Sequence, residues 1–136
     1  MGYKDEKYNK LRWDIGDYSN IKKNILETFP YEYKGKKIVV KIETDEFSAV
    51  CPWSGLPDYG TIIVEYVPVD KILELKSFKY YLYTYRNVGI YQEHAINKIF
   101  EDLLDVVKPE WMKITLIYNI RGGIKTTVTR EYGKKD

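Results

Sequence analysis

The sequence predicts an α+β domain in the order β-β-α-α-β-β, and three features of the chain lead there. Residues 37–44, 61–67, 111–120 and 124–130 are short runs rich in Val, Ile and Thr, bounded by Gly, Pro and Asn as strands are. Between the second and third runs lie two stretches, 71–87 and 92–107, whose apolar residues recur at helical spacing. Two helices with one apolar stripe each can cover one face of a four-stranded antiparallel sheet, and 136 residues suffice for one such domain.

Taken in order, residues 1–35 read as an irregular arm that docks through Ile25, Leu26, Phe29 and Tyr31, with Pro30 breaking any helix begun at Asn20. Gly35, Lys36 and Lys37 form a turn into the first strand, 37–44. Residues 47–50 lead to a loop, 51–61, and the second strand, 61–67, ends at Pro68. Asp70 offers an N-cap for a helix over 71–87 with Leu75, Phe78, Leu82 and Tyr85 on its apolar face. After Gly89, the helix over 92–107 carries Ile96, Ile99, Phe100, Leu103, Leu104 and Val107 inward. It turns Asn97, Lys98, Glu101, Asp102 and Asp105 to water and stops before Pro109. Arg121, Gly122 and Gly123 turn the third strand into the fourth. The core is thus expected at 36–130, with a fraying tail over 131–136. Such a sheet has two open edges, and neither candidate edge strand is short or heavily charged. A ring of subunits whose sheets join into a barrel is therefore expected.

Composition narrows the function. A net charge of +2 does not single out nucleic acid as a partner. One cysteine and one histidine cannot build a Cys/His zinc site within a single chain, so no metal is expected. The two familiar phosphate loops, GxxxxGK[ST] and GxGxxG, do not occur. The first 18 residues have no signal-peptide core and no apolar run reaches about 18, so a cytoplasmic protein without membrane contact is expected.

The chemistry concentrates in "CPWSGLPDYGT", residues 51–61. Cys51 is the one cysteine, and Asp58 follows seven residues later across a loop held by Pro52, Gly55, Pro57 and Gly60. A thiolate can attack an electrophilic carbon and a nearby carboxylic acid can protonate the resulting anion. Equally, a lone cysteine can be a small buried apolar residue. Lys76, Lys79, Tyr83 and Arg86 repeat the helical spacing one step beside the apolar face, so three cations share a face. That face is either a solvated basic flank or a docking surface for a phosphorylated ligand. Glu93 and His94 occupy the first turn of the second helix, where a carboxylate is favoured; His94 by itself reads as a surface histidine.

Four segments in this order resemble the QueF family, the NADPH-dependent 7-cyano-7-deazaguanine reductases of queuosine biosynthesis, over roughly residues 29–123. "CPWSGLPD" resembles the family's Cys-to-Asp loop, and "ELKSFK" its E-(S/L)-K-(S/A)-h-K signature for NADPH. "YQEHAIN" stands where the family carries its substrate Glu, and "IRGG" resembles its closing turn. The resemblance implies a tunnelling fold and a homo-oligomer of pentameric rings stacked into a decamer, with active sites at subunit interfaces. It implies that Cys51 attacks the nitrile carbon to give a covalent thioimide, with Asp58 as proton donor. Leu73, Glu74, Leu75, Gln92 and Glu93 would bind the deazaguanine, and Lys76, Ser77, Lys79, Arg86 and, more weakly, Arg121 would bind NADPH. The chain departs from the family at Gln92, where many members have His; Gln can hydrogen-bond a ligand but cannot relay a proton.

Two other readings stand beside reduction to the 7-aminomethyl product. An archaeosine-synthase-like enzyme would use the same thioimide, let ammonia attack it, and need no NADPH. A non-catalytic tunnelling-fold subunit would bind a purine or pterin-like ring through Glu93 and have no reason to keep both Cys51 and Asp58.

Overall fold

The computed structural model describes residues 15–135. Two 3-10 turns, Tyr18–Asn20 and Lys23–Ile25, lead to a short strand β1 (Thr28–Pro30). Then come β2 (Val40–Val50), β3 (Pro57–Val67), β4 (Lys71–Leu73), helix α1 (Leu75–Tyr83), helix α2 (Gln92–Val107), β5 (Trp111–Tyr118) and β6 (Thr127–Gly133). The four long strands form one antiparallel sheet, as expected, and their order is β2-β3-β5-β6. β1 and β4 make a separate antiparallel pair. No helix among the described residues is long and apolar enough to cross a membrane.

Alternation along the strands decides which face the helices cover. Ile62, Val64 and Tyr66 of β3 and Met112, Ile114 and Leu116 of β5 are buried on one face. Phe78, Tyr81 and Leu82 of α1, with Tyr85 just beyond it, and Ile96, Ile99, Phe100, Leu103 and Val107 of α2 join the same core. Truncating a fully buried aliphatic side chain in such a layer costs about 2–5 kcal/mol.

Several expectations are corrected. The first helix does not begin at Asp70. Residues 71–73 pair with β1, the Glu74 N–H donates to the Glu27 carbonyl at 2.9 Å, and α1 starts only after Glu74. The arm, rather than any local preference of "KIL", makes these residues a strand. Tyr66 reinforces this, its hydroxyl accepting from the Leu73 N–H at 2.9 Å inside the core. Glu74 is the cap: its carboxylate accepts from the N–H groups of Lys76 and Ser77 at 2.8 and 2.7 Å. With the helix start moved, Leu75 is exposed rather than part of the apolar face, and the helix ends at Tyr83 instead of residue 87.

Asp102 was expected to face water but is buried. It accepts from the Tyr81 hydroxyl at 2.7 Å and from Lys98 at 2.8 Å, and Tyr81 is also bonded to the Tyr85 hydroxyl at 2.7 Å. Every member of that buried chain has a partner, which is the condition for such a network to stabilise rather than cost. Burial pushes the Tyr81 and Tyr85 hydroxyls far above the ordinary phenol value, so both stay neutral. Finally, residues 131–133 do not fray: they pair with 111–113 as the end of β6.

Candidate active site

β2 and β3 form a hairpin whose connection is 51–56, shorter than the loop read from the sequence. Its closure is local: the Cys51 N–H donates to the Leu56 carbonyl at 2.9 Å, and the Gly55 N–H to the Cys51 carbonyl at 2.8 Å. Gly55 sits at φ 73°, a conformation glycine adopts without strain. Asp58 lies beyond the loop, in β3 opposite Ala49, with its side chain on the buried face. Strand alternation therefore aims this carboxylate, not loop geometry.

The end of β2 is stitched to the segment before α2. The Val50 N–H donates to the Val88 carbonyl at 2.9 Å and the Ile90 N–H to the Val50 carbonyl at 3.0 Å. This brings Gln92 and Glu93, in the first turn of α2, beside the Cys51 loop. From the other side, the Asn119 N–H donates to the Tyr59 carbonyl at 2.8 Å and carries the β5–β6 turn over the same space. Gly60 permits that approach, since a Cβ there would meet the Ile117 carbonyl oxygen at 2.7 Å.

The result is one open cleft of about 480 Å³ lined by Cys51, Asp58, Gln92, Glu93 and Arg121, together with Tyr91, Asn119, Gly122, Ile124 and Thr126. Cys51 is half-buried, makes no disulfide, and lines the cleft. The Arg121 guanidinium pairs with Asp58 and also reaches the Ser54 hydroxyl at 3.4 Å. Tyr118, one strand away, is buried. Burial raises its hydroxyl above the ordinary value, and the charges of Asp58 and Glu93 add to that. Its neutral hydroxyl thus belongs to the electrostatic surroundings of both carboxylates. Tyr91, Asn119, Thr126 and Tyr118 escaped the sequence reading because only strand pairing and the stitched entry to α2 bring them here. The inward alternation of 112, 114, 116 and 118 was the one available signal for Tyr118.

The remaining predicted residues lie elsewhere. Leu73 is buried, and the Glu74 carboxylate is occupied in capping, which holds it below the ordinary carboxylate range. Ser77 is buried, its hydroxyl donating to the Glu74 carbonyl at 2.8 Å and accepting from the Glu27 N–H at 3.0 Å. Lys76, Lys79 and Arg86 are exposed on α1 and just after it. Arg86 stacks over the Tyr83 ring at 4.5 Å and Lys79 stands 5.8 Å from the same ring. Leu75, Lys79 and Tyr83 line a second groove of about 260 Å³ with Ile42, Thr44, Glu46, Phe78 and Leu82. His94 is exposed, its ring edge-on to Tyr91 at 6.0 Å.

Known proteins resemble this chain in sequence and fold. The family model described as QueF-like protein matches residues 57–136. The chain is 49% identical over 131 residues to a protein of Caldanaerobacter subterraneus named NADPH-dependent 7-cyano-7-deazaguanine reductase, covering 96% of this chain and 98% of that one. A protein of the same name from Thermotoga petrophila is 54% identical over 116 residues, covering 85% and 83%. Among solved structures, the archaeosine synthase QueF-Like in the apo form superposes with a TM-score of 0.66 at 28% identity, over 71% of this chain and 94% of the other. Near full-length identity of this order, joined to a tunnelling-fold neighbour, makes the chain a member of the QueF-like protein family.

Proposed function

We propose that this chain is an NADPH-dependent oxidoreductase that reduces the nitrile of 7-cyano-7-deazaguanine to the aminomethyl group, in the pathway to queuosine. The observation that carries the reading is a thiol and a carboxylate, Cys51 and Asp58, lining one cleft together with a second carboxylate, Glu93.

The first step follows from the residues alone. Asp58 meets Arg121 as a carboxylate and takes the thiol proton of Cys51. The sulfur bonds to the nitrile carbon as one C–N π bond opens, and the proton passes from Asp58 to the nitrogen. A thioimide results with no net change in protons or electrons. Glu93 and Gln92 hold the polar edge of the flat heterocycle, Glu93 as acceptor for ring N–H groups. NADPH supplies, when bound, one hydride per molecule, so the four-electron change from nitrile to amine takes two. Lys76, Lys79 and Arg86 fit its phosphates by charge and exposure, whereas Ser77 is turned inward and fits only by holding the helix end.

The cofactor face and the Cys51 cleft are separate surfaces on one chain, so a homo-oligomer is part of the proposal. A neighbour would bring the exposed Leu75 side chain and the adjoining backbone of Leu73 and Glu74 against the substrate. Trp53, Leu56, Ile120 and Ile124, all exposed, sit where such a neighbour would cover them. Pentameric rings paired into a decamer, working in the cytoplasm, are the form we assign.

The structural neighbour favours one second reading, in which ammonia attacks the same thioimide and no reductant is used. One experiment separates them: NADPH oxidation followed on adding the nitrile base, with and without ammonium. Two NADPH consumed per base, independent of ammonium, supports reduction. Amidine formed from ammonium with no NADPH consumed overturns it.

A further inference from the structure

The turn between β5 and β6 is built to present one side chain. The Arg121 N–H donates to the Ile124 carbonyl and the Ile124 N–H to the Arg121 carbonyl, both at 3.0 Å, across Gly122 and Gly123 at φ 58° and 80°. Two successive positive φ values define a tight two-residue turn that only glycine-like residues enter freely, so the Arg121 backbone is held at a defined place beside the cleft. From there it makes two contacts, the Asp58 carboxylate and the Ser54 hydroxyl of the Cys51 loop. Asp58 is 5% exposed, and Arg121 is its one charge partner among the described residues.

We propose that Arg121 is a positioning residue for the bond-forming half of the reaction: it fixes Asp58 as a carboxylate aimed at the Cys51 thiol and ties the acid to the loop that carries the thiol. The proposal rests on the thioimide reading. It differs from a cofactor-contact role, because the sulfur–carbon bond forms before any hydride moves. In that step S–H breaks, S–C and N–H form, one C–N π bond opens, and no reductant takes part. Asp58 is the relay, and Arg121 sets where the relay starts. Without the guanidinium, Asp58 loses its charge-assisted hydrogen bond and its tie to the Cys51 loop, so the acceptor for the thiol proton is no longer held in place.

The test uses the full chain and 7-cyano-7-deazaguanine with no NADPH present. The rate of adduct formation is read by quenched-flow intact mass for wild type, Arg121→Gln and Arg121→Lys, with circular dichroism to compare folding. Loss of one charge-assisted hydrogen bond predicts about a 10- to 100-fold slower adduct in the Gln variant. The Lys variant, which keeps the charge, is predicted to recover most of that loss even if the Gln variant folds poorly. If Arg121→Gln forms adduct at the wild-type rate and only its KM for NADPH rises, Arg121 is a cofactor contact and the proposal is overturned. An Arg121→Lys variant as slow as Arg121→Gln likewise overturns the charge argument. Wild type forming no adduct removes the thioimide reading itself, and the proposal with it.

Discussion

Asp58 shows how one residue's position sets its chemistry. Placed in a strand rather than a loop, it has a side-chain direction dictated by the pleat, and it reaches the cleft only because Pro57 and Tyr59 point the other way. Replacing it by Asn keeps the shape and removes the proton acceptor. Adduct formation with the nitrile base should then slow by about 10²–10⁴-fold, the range expected for a positioned acid–base group. Stopped-flow comparison with wild type checks this; an Asn variant within a few-fold of wild type would place the proton relay on another group. Cys51 was legible as a candidate from the sequence because it is unique, and Asp58 from its spacing. Arg121 as the partner of Asp58 was not, since 63 residues separate them and only the β3–β5 pairing brings them together.

Among the elements, α1 is the one whose reading went furthest astray, and its cap explains why. Asp70 and Glu74 are both acids before an apolar repeat, and the choice falls to Glu74 because the arm strand β1 takes residues 71–73. Hydrogen bonds from the Lys76 and Ser77 N–H groups lower the Glu74 carboxyl from its ordinary value of 4.5. A carboxyl lowered on folding contributes stability that is full above that ordinary value and fades as pH falls through the folded value. Glu74→Gln should therefore melt below wild type at pH 7, and the gap should narrow at pH 3; melting curves at both pH values decide it. A gap that does not change with pH would mean the cap works by shape alone. By contrast, α2 was legible from end to end, 92–107 in both sequence and structure, since a long apolar stripe outweighs local alternatives. The exception within it, Asp102, is satisfied by Tyr81 and Lys98, partners that no helical period reveals.

At the scale of the whole molecule, the sheet carries a row of alternating charge. Lys41, Glu65, Lys113 and Glu131 stand opposite one another in register across β2, β3, β5 and β6, ending on a cation at one edge and an anion at the other. β6 and β2 run in opposite directions, so a neighbour's β2 against this β6 would continue the sheet antiparallel and set Glu131 against the neighbour's Lys41. Opposed charges across strands are worth about 0.2–1 kcal/mol each, repeated at every join. Reversing either edge charge, Lys41→Glu or Glu131→Lys, should shift sedimentation velocity toward smaller species, most strongly at low salt. Unchanged assembly in both variants would put the contact between copies elsewhere.

Nitrile reduction on this chain depends on the Cys51 sulfur bonding to the nitrile carbon, and the intact mass of the protein after incubation with 7-cyano-7-deazaguanine alone reads that bond directly. The expected result is a shift equal to the mass of one base per chain in wild type and none in Cys51→Ala. An unshifted wild-type mass, or an equal shift in the Ala variant, would contradict it.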